Sequence, residues 1–251
     1  STSRGLGDVY KRQILARMPR MDWDRPPWNR WSFQHIRNFM PTAQVWRGND
    51  RAKPLPRREK DLLQIKFTRS HQVSQTIDAF LNDSYTDAFL VMADGYIIHE
   101  SYHNGMRAET PHLMQSVSKS ITATVTGIMI GRGELDPSAL VKSYIPELSE
   151  TAWAGATLQH VLDMTTGVQY SEEYTQLDSD VGKTDVASGW RPIPPNSSPD
   201  IDWPASVWDQ ILSLKTCEAD HGSRFLYRSI ETDLLAHIMT VSYTHLRAHE
   251  T

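Results

Sequence analysis

HLMQSVSKSITATVTGIMIGRGELDP, residues 112–137, decides how the rest of the chain is read. Val117, Ile121, Val125, Ile128 and Met129 recur at helical spacing, and Gly131 and Gly133 supply a stop. That pattern predicts a buried helix beginning near Ser116. Its threonines and Gly127 lower helix propensity, as expected of a helix held by surrounding core rather than by its own preference. At the helix start stands Ser116-Val117-Ser118-Lys119, the one S-x-x-K of the chain. A spacing of three puts Ser116 and Lys119 on one helical face, within reach of each other. Unpaired backbone N–H groups and the helix dipole favour negative charge developing there. A serine hydroxyl needs an adjacent base to become a nucleophile, and a lysine desolvated by apolar neighbours can serve as one. The same residues read equally well as an ordinary N-cap serine and a solvated first-turn lysine, so the pattern demands structural context.

Upstream, Ala88–Ala93 and Tyr96–Tyr102 are strand-like runs separated by Asp94-Gly95, a two-residue turn that tolerates positive φ. Val73, Ile77, Phe80 and Ala79 predict a short amphipathic helix over 73–81. Residues 14–60 are rich in Trp, Arg and Pro, with Trp23, Trp28, Trp31 and Trp46 expected to anchor an irregular arm. Downstream, short helices and turns are expected: Thr157 can cap Leu158–Met164 before Gly167 ends it, and another helix is expected over Val207–Leu214. Hairpin, central helix and then mostly helical material predict an α+β body with a helical subdomain. The expected divisions are 14–60 (arm), 61–135 (sheet and nucleophile helix) and 136–240 (mostly helical).

Composition narrows the function classes. The 251 residues are 39% hydrophobic and 22% charged, the profile of a globular protein. The best apolar stretch, Ile121–Ile130, is too short and too interrupted to span a membrane. The net charge of -4 offers no basic footprint for nucleic acid, which also argues against the aromatic arm as a single-strand platform. Cys217 is the single cysteine, which excludes an intramolecular disulfide framework.

The two ends read differently from the interior. Residues 3–13, SRGLGDVYKRQ, and 241–251, VSYTHLRAHET, resemble translations of opposite strands of one sequencing adapter. Residues 1–13 and 241–251 are therefore expected to be adapter-like artefacts, excluded from fold reasoning. Without their four basic and two acidic residues, the 227 residues Ile14–Thr240 carry 22 Lys+Arg against 28 Asp+Glu, or -6. On this reading the native chain extends further at both ends. Its localisation, cytoplasmic or periplasmic, is then unknown, because the native N-terminus is not visible.

A second chemical element is Tyr227 in FLYRS, a phenol suited to relaying protons if brought beside the serine. HLMQSVSKSIT, GRGELDP, IPEL, ATLQHVLDMTTGV and HGSRFLYRS run through the chain in that order. This series resembles the serine hydrolases related to class C β-lactamases and penicillin-recognising enzymes, most of all the 6-aminohexanoate-dimer hydrolase and esterase branch, and it covers most of residues 28–240. The resemblance implies a β-lactamase/transpeptidase-like fold with an antiparallel sheet flanked by helices. It implies Ser116 as nucleophile, Lys119 as activator, Tyr227 as proton shuttle and Ser229 as the hydroxyl near the lysine. Tyr174 resembles a substrate-contacting tyrosine of that branch, and Asp185 an amine-recognising position. The family's third motif, a Lys/His-x-Gly strand supplying the second oxyanion N–H, has no match between Tyr227 and Thr240. It is expected after residue 240, leaving the domain C-terminally truncated. Loss of one oxyanion donor costs about 100- to 1000-fold, so the 251-residue chain is expected to turn over poorly or to be poorly soluble.

The histidines suggest no metal. His99 and His103 lack a third ligand, and His112, His160, His221 and His237 have no ligand-like spacing. A Ser-His-Asp triad lacks its G-x-S-x-G elbow. The expectation is a cofactor-free serine hydrolase acting through an acyl-enzyme on a small amide, ester or β-lactam. Its rival is a penicillin-binding or ligand-binding module of the same fold without turnover.

Overall fold

A computed structural model describes residues 17–46, 48–68 and 74–249, with side chains described through residue 244. The expectation about residues 1–13 falls outside these. The chain divides into two units, Ser1–Leu113 and Met114–Thr251.

The first unit opens with the tryptophan-rich arm, which contains a short helix α1 (Asn29–Ser32). Trp23 is buried against Phe33 and Phe39, with ring centroids 6.1 and 5.5 Å apart. The Ser32 hydroxyl donates to the Trp23 carbonyl at 2.6 Å. Trp46 departs from the expected anchoring role, standing 69% exposed. Arg30 donates to the Asn82 carbonyl and Asn104 to the Arg30 carbonyl, which ties the arm to the rest of its unit.

The expected helix over 73–81 proves shorter. Residue 73 lies outside the described residues, and Ser74–Thr76 forms strand β2, antiparallel to β1 (Lys66–Thr68). Helix α2 (Ile77–Asp83) starts where the Thr76 side chain accepts from the Ala79 N–H and so supplies a cap. The hairpin of β3 (Ala88–Ala93) and β4 (Tyr96–Tyr102) forms as expected, with Asp94 at φ 51° and Gly95 at φ 79°. Two left-handed residues in succession match a two-residue turn to the twist of its strands.

Helices build the second unit. They are α3 (Ser118–Gly131), α4 (Val141–Tyr144), α5 (Leu158–Leu162), α6 (Asp180–Ala187), α7 (Val207–Ser213) and α8 (Ile230–His249). Helix α8 is the axis: Ile230, Leu234, Leu235 and Ile238 are all buried, and α3, α4, α5 and α7 pack on it. Trp153, fully buried, donates its indole N–H to the Ile211 carbonyl at 3.0 Å. The expected cap of α5 is present: Thr157 accepts from the His160 N–H, and the His160 ring answers the Thr157 N–H. Helices α6 and α8 carried no clear prior signal, and α8 runs on through residues 241–249. No described helix is long and apolar enough to cross a membrane.

The predicted burial of α3 needs correction. Val117, Ile121, Val125 and Ile128 are 44 to 60% exposed, whereas Thr126 and Met129 are buried. A threonine can bury its hydroxyl by bonding a carbonyl one turn back. Thr126 does so to the Thr122 carbonyl at 3.0 Å, and its oxygen also approaches the Met239 sulfur at 3.1 Å. The face carrying Thr126 and Met129 therefore fits against the core, with Thr126 meeting α8 at Met239, and the apolar stripe faces away from the helical core of this unit.

One buried contact joins two sequence motifs. The Thr166 hydroxyl donates to Glu231 Oε1 at 2.7 Å, and Oε2 has no hydrogen-bond partner. Burial pushes this carboxyl from 4.5 up to about 8, against opposing contributions from Thr166 and Arg228. Because the native value is raised, this group's stability is intact below 4.5 and drains away as pH climbs to about 8. Glu231→Gln keeps an oxygen for Thr166 but does not titrate. Its unfolding free energy should match the wild type near pH 4 and gain on it progressively from pH 5 to 8, by on the order of 1 kcal/mol per pH unit, with the melting temperature rising in step. Thermal denaturation of both proteins across that range measures the difference.

Candidate active site

The polypeptide approaches α3 through a 3-10 turn, Gln115–Val117. Gln115 lies at φ 47°, a left-handed conformation that is uncommon for a side chain of this kind. The sharp turn sets Ser116 just ahead of α3, one turn before Lys119. Lys119 Nζ donates to Ser116 Oγ at 3.1 Å, so the two residues meet as their spacing predicts.

Tyr227 arrives from 111 residues away. Its phenol donates to Ser116 Oγ at 2.9 Å, and Lys119 Nζ lies 5.6 Å from the centre of its ring. Backbone bonds put it there. The Glu218 N–H donates to the Gly167 carbonyl at 2.8 Å, Gly222 to Thr165 at 2.7 Å and Leu226 to Met164 at 2.9 Å. The Met164–Gly167 motif thus holds the 218–226 loop along its length. Gly167 is required: it sits at φ 68°, and a Cβ there would come within 2.2 Å of the Ala219 carbonyl oxygen. Arg228 completes the clamp by donating to the Tyr227 carbonyl at 2.9 Å and pairing with Glu218.

Ser229, which the resemblance implies as the hydroxyl near Lys119, is bonded to Glu172. Its hydroxyl donates to Glu172 Oε2 at 3.2 Å, and its N–H donates to Glu172 Oε1. Tyr174 joins through this serine, with its phenol oxygen 3.4 Å from Ser229 Oγ. Burial, then hydrogen bonding to Glu172, pushes the Tyr174 phenol up to about 12. Glu172 is the residue that sequence reasoning missed; the acidic SEEY run was the available signal, but two adjacent glutamates gave no way to choose between them. Asp233, one turn into α8, is pushed up by burial and pulled back down by the Lys119 charge, so the lysine has a carboxyl partner in range.

Asp185 is paired with an arginine. It lies in the last turn of α6, where Arg191 Nε donates to it at 3.1 Å. The histidines do structural work: His112 pairs with the buried Asp87 at 3.0 Å, His160 caps α5, His221 bonds the Thr166 carbonyl and His237 stacks on Trp208. Among the described residues no cluster of three or more His, Cys, Asp or Glu could hold a metal ion.

The chain is 34% identical over 223 residues to the 6-aminohexanoate-dimer hydrolase of Paenarthrobacter ureafaciens. That alignment takes in 88% of this chain and 53% of the relative. The solved structure named "Putative 6-aminohexanoate-dimer hydrolase from Bacillus anthracis" superposes with a TM-score of 0.77 at 27% identity, over 90% of this chain and 58% of that one. The chain thus spans little more than half the length of these relatives. The Beta-lactamase family model matches residues 73–245, which include Ser116, Lys119 and Tyr227. On that match the chain belongs to the Beta-lactamase family, with the β-lactamase/transpeptidase-like fold its motifs implied.

Proposed function

We propose that the protein is a serine hydrolase that forms an acyl-enzyme on Ser116 and cleaves a small amide or ester. The observation that carries this reading is the position of Ser116 Oγ, 3.1 Å from Lys119 Nζ and 2.9 Å from the Tyr227 phenol. Both lie within the distance at which a general base can take a proton.

In acylation the Ser116 O–H bond breaks, its proton passes to Lys119 aided by Tyr227, and Oγ forms a bond to the substrate carbonyl carbon. The carbonyl oxygen takes up the negative charge, and the Ser116 N–H at the helix start is one donor for it. As the C–N or C–O bond breaks, Tyr227 delivers a proton to the departing amine or alcohol, and Lys119 resupplies the phenol. Water then attacks the acyl-enzyme by the same route in reverse and returns the proton to Ser116.

Similarity to the Paenarthrobacter ureafaciens enzyme supports a short linear amide of the 6-aminohexanoate-oligomer type as substrate. Carboxylic esters and β-lactams share the same chemistry at the carbonyl. Asp185, which the resemblance offers as an amine-recognising group, already carries a bond from Arg191.

Covalent labelling by a fluorophosphonate, read by intact mass, tests the nucleophile because it needs activation of Ser116 but no deacylation. Ser116→Ala should abolish the adduct; an unchanged adduct would refute the assignment. Tyr227→Phe removes only the phenol oxygen and should slow labelling by about 100- to 10,000-fold, the range for loss of a positioned acid–base group. A stoichiometric burst of product followed by no steady state would favour the binding module over the hydrolase.

A further inference from the structure

We propose that Glu172 is a positioning residue for this site, holding the Tyr174 phenol beside the Tyr227–Ser229 segment both directly and through the Ser229 hydroxyl. The inference rests on the serine-hydrolase reading above and deepens it.

The argument starts from proton counting. A serine hydroxyl carries one proton and two lone pairs. Ser229 gives its proton to Glu172 Oε2 at 3.2 Å, while the other carboxylate oxygen takes the Ser229 N–H. With that proton committed, the 3.4 Å contact between Ser229 Oγ and the Tyr174 oxygen can be a hydrogen bond only if Tyr174 donates. The order of this run of bonds is therefore Tyr174 to Ser229 to Glu172, and the Glu172 carboxylate also bonds the Tyr174 phenol itself, so it holds that phenol both directly and through the serine. The raised Tyr174 value agrees, since a phenol held near a carboxylate keeps its proton.

The loop that carries Tyr174 is otherwise pinned only on its far side. The Ser171 N–H donates to Asp180 at 2.7 Å, and the Ser179 hydroxyl donates to the Glu173 carbonyl at 2.8 Å. Both bonds hold the loop to the start of α6. Glu172 and Tyr174 make the bonds that cross to the Tyr-x-Ser segment. Tyr174 itself is 58% exposed, so core packing does not hold it in place.

Glu172→Gln tests the idea because an amide presents one acceptor and one donor. It cannot accept both Ser229 protons, and its NH2 would reverse the sense of the run. Acylation by p-nitrophenyl hexanoate, followed as the nitrophenolate burst, separates the concentration dependence from the maximal rate. Glu172→Gln and Tyr174→Phe should each raise the half-saturating concentration about tenfold, the effect of one lost hydrogen bond, with the maximal rate changed less than threefold. The double variant should be no worse than either single one, because Glu172 acts through Tyr174. A purely structural role for Glu172 would instead multiply the two effects to about 100-fold, and that result, or an unchanged Glu172→Gln, overturns the proposal. Should Glu172→Gln fail to fold, the Ser229→Ala and Tyr174→Phe pair tests the same run, with multiplicative effects again overturning it. A wild-type chain that takes neither fluorophosphonate nor ester label overturns the serine-hydrolase reading and this inference with it. Normal wild-type labelling with multiplicative variants overturns the inference alone.

Discussion

Three backbone hydrogen bonds from residues 218–226 to Met164–Gly167 govern the geometry of the site, because they bring a tyrosine 111 residues distant to within 2.9 Å of the serine hydroxyl. A nucleophile and its base can share a single helical turn, but the third partner has to come from a separate segment, and a loop lacks the periodic bonding that would fix it. Here the loop borrows its order from the motif at the end of α5. Met164 at φ 51° and Gly167 at φ 68° aim the intervening carbonyls outward, and the loop N–H groups close on them. Bonds of this kind contribute about 1 kcal/mol each to stability, and together they specify one register.

Below this ladder the carboxyl groups are arranged by burial. Glu231, fully buried under Thr166, is pushed up to about 8. Asp233 is also pushed up, while the nearby lysine charge draws it down. Glu172 lies nearer the surface, and its carboxylate accepts two bonds from Ser229. One short stretch of sequence, residues 227–233, thus carries the phenol bonded to Ser116, a hydroxyl bonded to Glu172 and two carboxyls in unlike surroundings. Perturbed titration of this kind gathers where chemistry is done, although a buried brace such as Glu231 can have a wholly structural cause.

Much of the architecture was legible in local pattern. Asp94-Gly95 announced the hairpin, Thr157 the cap of α5, and Val207–Leu214 a helix that forms over Val207–Ser213. These features depend on neighbours a few residues apart, which is the range over which sequence pattern carries information. Strand β2 was hidden because Ser74–Thr76 is polar and pairs with a segment upstream, and α6 because its apolar content is low. The orientation of α3 was misjudged for a related reason. Apolar periodicity identified the helix but took its greasiest face for the buried one, while Thr126, with its hydroxyl bonded to its own turn, packs on α8.

The same division runs through the site. By itself the sequence put Ser116 and Lys119 on one helical face within reach of each other, since three residues on a helix span about one turn; their 3.1 Å contact, rather than a cap serine and a solvated lysine, is given by the structure. Through the order of its motifs it also implied the family and singled out Tyr227. Only the tertiary structure decided that Ser229 bonds Glu172, that Tyr174 contacts that serine, and that Asp185 is held by Arg191. Those choices turn on where one proton of a hydroxyl points and on which of several nearby charges is closest. Chain spacing sets neither, because both depend on how loops far apart in sequence settle against a common core.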